Sequence, residues 1–276
     1  IKNLFLDTVS ISGDVVVAGA LAGDAGGTIK NCHVTNLNMS LNVQYYAGGL
    51  IGFVEKNTSI DGCSVAGEFN GSANIIGGFV GMAWENIQIT YSGANVALTA
   101  PKDSSGTNVG GFIGRTNGER ESQVIIQNCY ATGNVTGGSY VGAFTGSLVG
   151  LNIKNCYATG DVKDASIQMS TFAGTDSPAA YLDGVMENCY TSGSVRGKTT
   201  YTGAFIYQTA DQRSRIINCY FVSSDENMTV KTTNETATEK TLGEMKTAEF
   251  AATLNNKDNT NGWIYKADQT PLCGAE

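Results

Sequence analysis

A tripeptide that returns at regular intervals constrains this chain of 276 residues more than any other feature. Asn-Cys-Tyr occurs at Asn128, Asn155, Asn188 and Asn218, and two upstream cysteines stand in related contexts. The cysteines of the whole series are Cys32, Cys63, Cys129, Cys156, Cys189 and Cys219. They recur about every 30 residues, except that one gap is about twice as long. We therefore predict a repeat without its cysteine in that gap, where Ile89–Gly93 forms a degenerate copy of Cys-Tyr-Ala-Thr-Gly.

A glycine-rich block provides a second landmark in each repeat. It has the form Gly-Gly/Ala-Leu/Phe-x-Gly and follows the cysteine series half a period out of phase. The large third residue of the block is Leu21, Leu50, Phe79, Phe112, Phe144, Phe172 or Phe205. Two landmarks in each period predict two strands in each repeat. We expect the large residue to point inward, with the flanking glycines making room for it.

The fixed period predicts a solenoid, in which each unit buries its apolar face against its neighbours. A content of 35 glycines and 3 prolines, with many β-branched and aromatic residues, favours strands and tight turns. Strand alternation places Cys129, Ala131 and Val135 on one apolar face if Asn128 forms a corner, because asparagine tolerates left-handed backbone. We predict an all-β fold, a parallel β-helix (β-solenoid) of about seven to eight coils in which identical residues stack about 4.8 Å apart.

Cysteines stacked in this way are expected to be structural. Residues in register have parallel side-chain vectors, which is a poor geometry for a disulfide. A linear ladder also does not supply tetrahedral metal ligands, and no Cys-x-x-Cys pair occurs. We therefore predict six buried free thiols that fill space in the core, no metal site, and Cys273 outside the ladder with no partner assigned.

The repeat pattern stops after Val222, which predicts two parts, a solenoid in residues 1–222 and a C-terminal linker and capping segment in residues 223–276. Thr241 and Glu244 have the spacing of a capping box that opens a short helix. Such a helix would cover the open core and the backbone edge of the last coil, which otherwise invite end-to-end association.

These two landmarks resemble the GLUG-motif repeats, which are named for Gly-Leu-x-Gly. Gly49–Gly52 reads Gly-Leu-Ile-Gly, and Asn155–Val162 is similar to the other half of the motif. The tail from Leu242 to Leu272 also resembles the segment that closes such arrays. The resemblance implies a place among bacterial surface proteins, adhesin-like proteins and some immunoglobulin A peptidases. It carries no catalytic motif.

Composition agrees with a location outside the cell. A net charge of -8 argues against nucleic acid and against an anionic membrane surface as partners, since both require a concentrated basic face. No apolar stretch is long enough to span a bilayer, so we expect no direct membrane insertion. The absence of a signal peptide and of an initiating methionine, with a start in mid-coil, favours a portion of a longer exported polypeptide.

Two groups of residues are candidates for ligand binding. Strand alternation places Tyr130, Tyr157, Tyr190 and Tyr220 on the outer face, one above another, where an aromatic stripe would suit a sugar or a peptide. Stacked tyrosines equally serve to stabilise a sheet through neighbour contacts, and that alternative stays open. The second group is Arg115 and Arg120, at the start and in the middle of a long inter-strand loop.

Enzyme functions find little support in the sequence. Parallel β-helices also host polysaccharide lyases and glycosidases, but the carboxylates are scattered over the repeats and form no pair. The single histidine, His33, has no serine or cysteine partner in a recognisable nucleophile motif. The glycine blocks do not lead into a helix with a following lysine, so they do not form a phosphate loop. We expect no cofactor.

The sequence therefore predicts a non-catalytic, adhesin-like repeat domain, secreted or on the bacterial cell surface. Its expected partner is a host surface protein or a polymer such as a glycan, bound along a sheet face or a loop edge. Two alternatives stay open, a carbohydrate-active β-helix enzyme and a passive stalk in a larger surface protein.

Overall fold

Strands dominate the computed structural model, which describes residues 1–102, 106–118, 123–176, 184–197, 199, 201–207, 215–222, 237–255 and 262–274. The strands of the first half are β1 (Lys2–Asp7), β2 (Ser10–Gly19), β3 (Ala22–Ala25), β4 (Thr28–Gly48), β5 (Ile51–Val54), β6 (Thr58–Asp61), β7 (Ser64–Ser72), β8 (Ile75–Gly77), β9 (Val80–Ala83), β10 (Ile87–Thr90), β11 (Gly93–Thr99), β12 (Asn108–Gly110) and β13 (Ile113–Thr116). Those of the second half are β14 (Val124–Gln127), β15 (Tyr130–Ala131), β16 (Val135–Thr136), β17 (Tyr140–Gly142), β18 (Thr145–Leu148), β19 (Leu151–Lys154), β20 (Tyr157–Ala158), β21 (Val162–Lys163), β22 (Gln168–Ser170), β23 (Ala173–Asp176), β24 (Val185–Glu187), β25 (Tyr190–Thr191), β26 (Val195–Arg196), β27 (Tyr201–Gly203), β28 (Arg215–Ile217), β29 (Tyr220–Val222) and β30 (Thr238–Lys240). Two helices follow, α1 (Leu242–Met245) and α2 (Ala248–Leu254).

Equivalent strands of successive coils pair in parallel and in register. Tyr130 pairs with Tyr157, which pairs with Tyr190, which in turn pairs with Tyr220. Within the described residues, β3, β5, β9, β13, β18 and β23 form a sheet of 6 strands, and 24 strands form the other sheet. Together they make about 7 turns of a parallel β-solenoid. The predicted fold class is confirmed, at the lower end of the predicted number of coils.

Asparagine turns the chain immediately before the ladder cysteines of five coils. Asn31, Asn128, Asn155, Asn188 and Asn218 have φ between 51° and 55°, in the left-handed region that asparagine tolerates better than other side chains. Their amides also join neighbouring coils, since Asn155 Nδ2 donates to Asn128 Oδ1 at 3.1 Å. The predicted corner role is confirmed.

The cysteine ladder lies inside the solenoid, with each of its six thiols at most 1% exposed. Cys129 Sγ donates to the carbonyl of Gln127 at 3.2 Å, on the other side of the asparagine corner. The backbone N–H of Cys129 in turn donates to Cys156 Sγ at 3.4 Å. Each thiol therefore satisfies a carbonyl beside its own corner, and some also join two coils. All seven cysteines are buried, and the six of the ladder are free thiols.

The repeat that lacks a cysteine has a serine in that place. Ile89 pairs with Ile126, so Ser92, rather than Ile89, aligns with Cys129. The predicted interval is right, but the predicted register within it is wrong. Tyr91 takes the corner position with φ of 47°, a conformation that is rare for a bulky residue. The sequence misled because a tyrosine replaces the corner asparagine, so the copy has lost both of its landmark residues.

A second inner ladder consists of the large residues of the glycine blocks. The phenylalanine rings stack face to face at centroid distances of 4.6–5.0 Å, and the members are Phe79, Phe112, Phe144, Phe172 and Phe205. A Cβ at Gly111 would lie 2.0 Å from the carbonyl oxygen of Ala143, so the block requires glycine at this close approach. The inward direction predicted for the large residue is confirmed for these five. Leu21, in the first coil, is only partly buried.

The C-terminal segment packs on the outer face of the last coils. Thr241 caps α1, and the reciprocal contacts of a capping box with Glu244 are both present, as predicted. The short strand β30 continues the parallel pairing beyond β29, so one more strand follows the last tyrosine. The division into parts at residue 222 stays a prediction. Among the described residues, neither helix has the length and apolar character needed to cross a membrane.

Candidate functional site

The four tyrosines of the predicted stripe form a continuous aromatic ladder. The rings of Tyr130 and Tyr157 lie 5.7 Å apart, and those of Tyr157 and Tyr190 lie 5.2 Å apart with planes only 2° from parallel. Tyr220 extends the ladder by one coil through in-register pairing with Tyr190. The ladder stands on the side of the strand opposite to the cysteines, as alternation requires.

The tyrosine ladder is covered, which corrects the expectation that it faces solvent. Tyr157 is 1% exposed, Tyr190 is 0% exposed and Tyr220 is 8% exposed. Phe250 of α2 packs edge-on against Tyr190 at 5.8 Å, and Trp263 lies 5.5 Å from the same ring. Aromatic rings provide the C-terminal segment with a large apolar area to bury, which explains why Phe250 and Trp263 pack on this face.

Hydrogen bonding fixes the C-terminal segment on the tyrosine ladder. The Tyr190 hydroxyl donates to the carbonyl of Pro271 at 2.6 Å inside the contact. Tyr130, at the border of the covered area, is partly buried and packs against the apolar cluster that the other three tyrosines form with Phe250 and Trp263. Only Tyr130 among the four retains a substantial exposed surface. A ligand at the remaining three would have to displace the segment.

A cleft of about 350 Å³ separates part of the C-terminal segment from the sheet. Thr132, Thr159 and Ser192 line one wall with hydroxyl groups, and Lys246 and Asp268 stand on the other wall. Tyr157 of the tyrosine ladder also lines this cleft.

The two predicted arginines differ in what the structure says of them. Arg115 lies on β13, where it pairs with Met82, and it is partly buried. Its Nε is enclosed and makes no hydrogen bond within the described residues. Arg120 lies outside the described residues. A ligand site formed by the two arginines therefore stays a prediction.

An aromatic groove at the second and third coils was not predicted from the sequence. We define the aromatic groove by Tyr46, Phe53, Glu55, Lys56 and Trp84. The rings of Tyr46 and Phe53 stack at 5.4 Å, and Trp84 meets Phe53 edge-on at 5.8 Å. A cavity of about 360 Å³ opens between Phe53, Glu55, Lys56 and Trp84. All three rings are partly exposed, so the groove presents aromatic surface to solvent.

Local sequence and in-register stacking create the aromatic groove together. Phe53 is at the third position of β5, and its pairing partners in neighbouring coils are Asp24 and Met82. Met82 pairs in turn with Arg115, so Phe53 and Arg115 share one column of the sheet, roughly 10 Å apart at the spacing of neighbouring strands. The predicted arginine thus lies on the same column as the groove, two coils further along.

An ion pair closes one side of the aromatic groove. Lys56 Nζ lies 2.8 Å from Glu85 Oε2, and the Trp84 indole N–H donates to Glu85 Oε1 at 2.8 Å. The hydrogen bond from Lys56 holds the pKa of Glu85 below its usual range, and the bond from Trp84 adds to the effect. The ammonium of Lys56 also lies 5.9 Å above the Trp84 ring, at the distance of a cation–π contact.

The carboxylate of Glu55 differs from that of Glu85 because it has no partner in the described part of the chain. Only the backbone of Glu55 is engaged, with its N–H donating to the carbonyl of Ala25 at 2.9 Å and its carbonyl accepting from Thr58 Oγ1 at 2.7 Å. The side chain is exposed at the rim of the aromatic groove. Glu55 is therefore available as a hydrogen-bond acceptor for a ligand.

Charge complementarity between coils was the sequence signal for this groove. Glu55-Lys56 and Trp84-Glu85 follow the glycine block at the same offset, so stacking places Lys56 beside Glu85. Trp84, one of only 2 tryptophans in the chain, adds to the signal. Predicting the aromatic groove requires both the register of the coils and the exposure of Phe53 and Trp84, and the sequence does not provide the exposure.

His33 and Ser64 occupy the tyrosine position in two earlier coils and contact each other. His33 Nδ1 and Ser64 Oγ are 2.8 Å apart, because the two residues pair in register on neighbouring coils. The expectation for His33 concerned a recognisable nucleophile motif, which this contact alone does not form, so it stays a prediction. No carboxylate of the described residues hydrogen-bonds to His33, so the group that orients the histidine in a Ser-His-Asp triad is not supplied by them. The pair joins two coils.

The buried thiols of Cys63 and Cys156 are poor nucleophiles and poor ligands. Burial raises the pKa of the Cys63 thiol to about 11 and raises that of Cys156 well above its usual value. The thiolate is the reactive and metal-binding form, so raised pKa values suppress both chemistries at neutral pH. Among the described residues, no group of three or more His, Cys, Asp or Glu side chains has the arrangement of a metal site.

Comparison with protein families identifies the GLUG motif in two adjacent stretches, residues 105–136 and 137–163. Both stretches contain a cysteine of the ladder and lie within the solenoid. The resemblance to GLUG-motif repeats is confirmed, and the chain carries such repeats.

Two curated relatives match about half of the chain each. An immunoglobulin A1 protease of Streptococcus sanguinis is 31% identical over 154 residues, which are 53% of this chain and 8% of that protein. Halomucin of Haloquadratum walsbyi is 31% identical over 159 residues, which are 51% of this chain and 2% of that protein. The chain thus spans a small fraction of the length of either relative.

Two solved structures share the fold. An IgA1 protease superposes with a TM-score of 0.58 at 17% identity, covering 92% of this chain and 20% of that one. A putative immunoglobulin A1 protease from Bacteroides ovatus superposes with a TM-score of 0.51 at 18% identity, covering 98% of this chain and 77% of that one. These likenesses support the parallel β-solenoid fold and go no further.

Proposed function

We propose that this chain of GLUG repeats is a non-catalytic, adhesin-like repeat domain of an exported bacterial surface protein, and that it holds its ligand in the aromatic groove. The single observation that carries the proposal is the open arrangement of Phe53 and Trp84 beside the free carboxylate of Glu55. Ligand sites combine apolar and aromatic walls with a few polar groups that fix orientation, and the aromatic groove has both.

The proposed lack of catalysis rests on the chemistry of the described residues. His33 and Ser64 are in contact, but no described carboxylate orients the histidine, and the buried thiols of Cys63 and Cys156 have raised pKa values. One curated relative and two solved structures are named as immunoglobulin A1 proteases, yet this chain aligns with only 8% of the curated one. We propose that the peptidase activity in that name belongs to the parts that this chain does not match.

The partner and the location belong to the same proposal. The partner would be a host surface protein or a glycan polymer, and binding would take place outside the cell. There the rod of stacked coils would hold the aromatic groove away from the point where the protein is attached. We further propose that residues 1–222 form the solenoid of repeats and that residues 223–276 form its C-terminal linker and cap. The cap covers three tyrosines of the predicted stripe, so the aromatic groove replaces that stripe as the proposed binding face.

Two assays test this function together. Purified chain is passed over a mucin-coated biosensor surface, and separately incubated with immunoglobulin A1 and a polysaccharide mixture, whose products are analysed by mass spectrometry. We expect reversible binding to mucin, lost in Trp84→Ala and kept in Tyr265→Ala, an exposed aromatic residue of the cap. Both substrates should remain intact. New cleavage products would identify an enzyme, equal binding by Trp84→Ala would reject the groove, and no binding to mucin would favour the passive stalk.

A further inference from the structure

We propose that the aromatic groove selects an uncharged saccharide, stacked on Phe53 and Trp84 and hydrogen-bonded through its hydroxyl groups to Glu55. This inference rests on the proposed function and names the ligand class for the same groove.

The shape and surface of the aromatic groove suit a sugar ring. Trp84 meets Phe53 at an interplanar angle of 67°, so the two rings form the wall and the floor of a corner rather than one flat plate. The ring of Tyr46 stacks on Phe53 with planes 22° apart and adds to the aromatic wall of this corner. A cavity of about 360 Å³ at this corner has the volume of a small ligand and is largely preformed. Aromatic faces provide rigid contact area for the C–H face of a pyranose at low entropic cost.

Charges around the aromatic groove argue against an anionic ligand. Glu55 lines the groove, and the one cation that lines it, Lys56, is paired with the carboxylate of Glu85. Asp24 precedes Phe53 in the same column of the sheet, and the whole chain carries a net charge of -8. A sialylated or sulfated glycan would bring its own negative charge beside these carboxylates, and like charges in contact oppose binding.

A cationic peptide is also disfavoured, because the chain supplies a cation of its own. Lys56 Nζ lies over the Trp84 ring at 5.9 Å and pairs with Glu85 at 2.8 Å. An incoming lysine or arginine would have to displace this ammonium from both the ring and the carboxylate. Lys56 therefore occupies the place that a bound cation would take, whereas a neutral ligand need not compete with it.

Glu55 provides the polar recognition that a neutral sugar requires. Its carboxylate accepts hydrogen bonds at two oxygens, and neither is used by the described part of the chain. Bonds between a charged acceptor and a neutral donor are stronger than neutral ones, and adjacent sugar hydroxyls present two donors at suitable spacing. Stacking and paired hydroxyl donation together define a saccharide rather than a purely apolar ligand.

The test is a biosensor titration of the purified 276-residue chain with four probes. They are the neutral tetrasaccharide lacto-N-neotetraose, its sialylated form, a sulfated tetrasaccharide and a lysine-rich peptide. We expect binding of the neutral probe alone. Trp84→Ala should weaken this binding by about tenfold or more, the factor that corresponds to one lost aromatic stacking contact. Glu55→Gln keeps the side-chain shape and one acceptor, and should weaken binding several-fold.

Controls separate binding effects from folding effects. Tyr265→Ala removes an exposed ring outside the aromatic groove and should bind as the unchanged chain does. Circular dichroism of Trp84→Ala must retain the β spectrum, and Glu55→Gln alters only an exposed side chain. Preference for the sialylated, sulfated or peptide probe would overturn the inference of an uncharged saccharide while leaving ligand binding by the aromatic groove in place. Binding of mucin in the preceding assay without any binding of the neutral probe would also overturn it, whereas failure of both assays would reject the proposed function.

Discussion

Ser92 Oγ accepts the backbone N–H of Cys63 at 3.1 Å, which is the bond that a cysteine sulfur makes in the intact repeats. The same hydroxyl donates to the carbonyl of Thr90 at 2.8 Å, as Cys129 does to Gln127. Ser92 therefore performs both functions of the missing cysteine, at shorter distances. The ladder position requires a small side chain that both donates and accepts a hydrogen bond. Cysteine and serine both meet this requirement.

Removing the hydroxyl of Ser92 should therefore destabilise the solenoid. Ser92→Ala leaves the Cys63 N–H and the Thr90 carbonyl without these bonds in a buried place, at a cost of about 1–3 kcal/mol. Ser92→Cys restores the repeat pattern and should differ from the unchanged chain by less than about 1 kcal/mol. The measurement is the urea midpoint followed by circular dichroism. Equal midpoints for Ser92→Ala and Ser92→Cys would contradict the bonding role.

Replacing Tyr91 with asparagine should stabilise the chain. Tyr91 has φ of 47° at a corner where the equivalent residue of the next coil, Asn128, has φ of 55°. A bulky residue in this region carries a strain of about 1–2 kcal/mol, which asparagine relieves in part. We expect a higher urea midpoint for Tyr91→Asn and a lower one for Asn128→Ala. As control, Asn95→Ala alters an exposed asparagine outside the corners and should change little. A lower midpoint for Tyr91→Asn would refute the strain.

The contact between Tyr190 and Pro271 should hold the C-terminal cap in place. Tyr190→Phe keeps the aromatic ladder but leaves the Pro271 carbonyl without its 2.6 Å bond, which costs about 1–3 kcal/mol. We expect faster hydrogen exchange in α2 and earlier proteolytic cleavage of the cap, with the first coils unaffected. Tyr265→Phe, at an exposed ring, serves as the matched control. Unchanged exchange in α2 would show that the cap is held by other contacts.

The ladder thiols should be silent until the chain unfolds. Burial raises the pKa of Cys63 from 9.0 to about 11, so the folded chain keeps a proton that the unfolded chain loses. The stability that this thiol contributes is complete below the unfolded pKa of 9.0 and is lost as the pH rises from there through the folded pKa of about 11. We expect no labelling by a thiol reagent at pH 8 before guanidine is added, and labelling of all seven cysteines afterwards. We also expect a lower urea midpoint at pH 10 than at pH 8. Rapid labelling of the folded chain would contradict the buried ladder.

Sequence periodicity was sufficient for the architecture because each landmark has a single physical meaning. Asn128 marks a left-handed corner, Cys129 marks the inner face and Phe112 marks the core, and stacking propagates each to its neighbours. The register of the third coil failed because Tyr91 and Ser92 replace both marker residues. A pattern that depends on repetition carries little information about the one member that differs.

The candidate site was harder to predict because periodicity does not report what covers a face. Alternation places Tyr157 and Tyr190 outside the coil, but their burial depends on a segment that joins them from about 80 residues away in the chain, as in the contact of Tyr190 with Pro271. The aromatic groove was hard to predict for a different reason, because its residues do not recur from coil to coil. Phe53 and Trp84 occupy positions that are not aromatic in other repeats, so no periodic signal marks them.

The two tryptophans of the chain allow the most direct test, since one lies in the aromatic groove and the other in the cap. Trp263→Phe leaves Trp84 as the only indole emitter, and Trp84→Phe leaves Trp263, which is 4% exposed. Each variant is titrated with lacto-N-neotetraose while its tryptophan emission is recorded. The account predicts a saturable emission shift in the variant that retains Trp84 and none in the variant that retains Trp263. A shift of Trp263 emission, with Trp84 unchanged, would place the ligand beneath the cap and contradict the account.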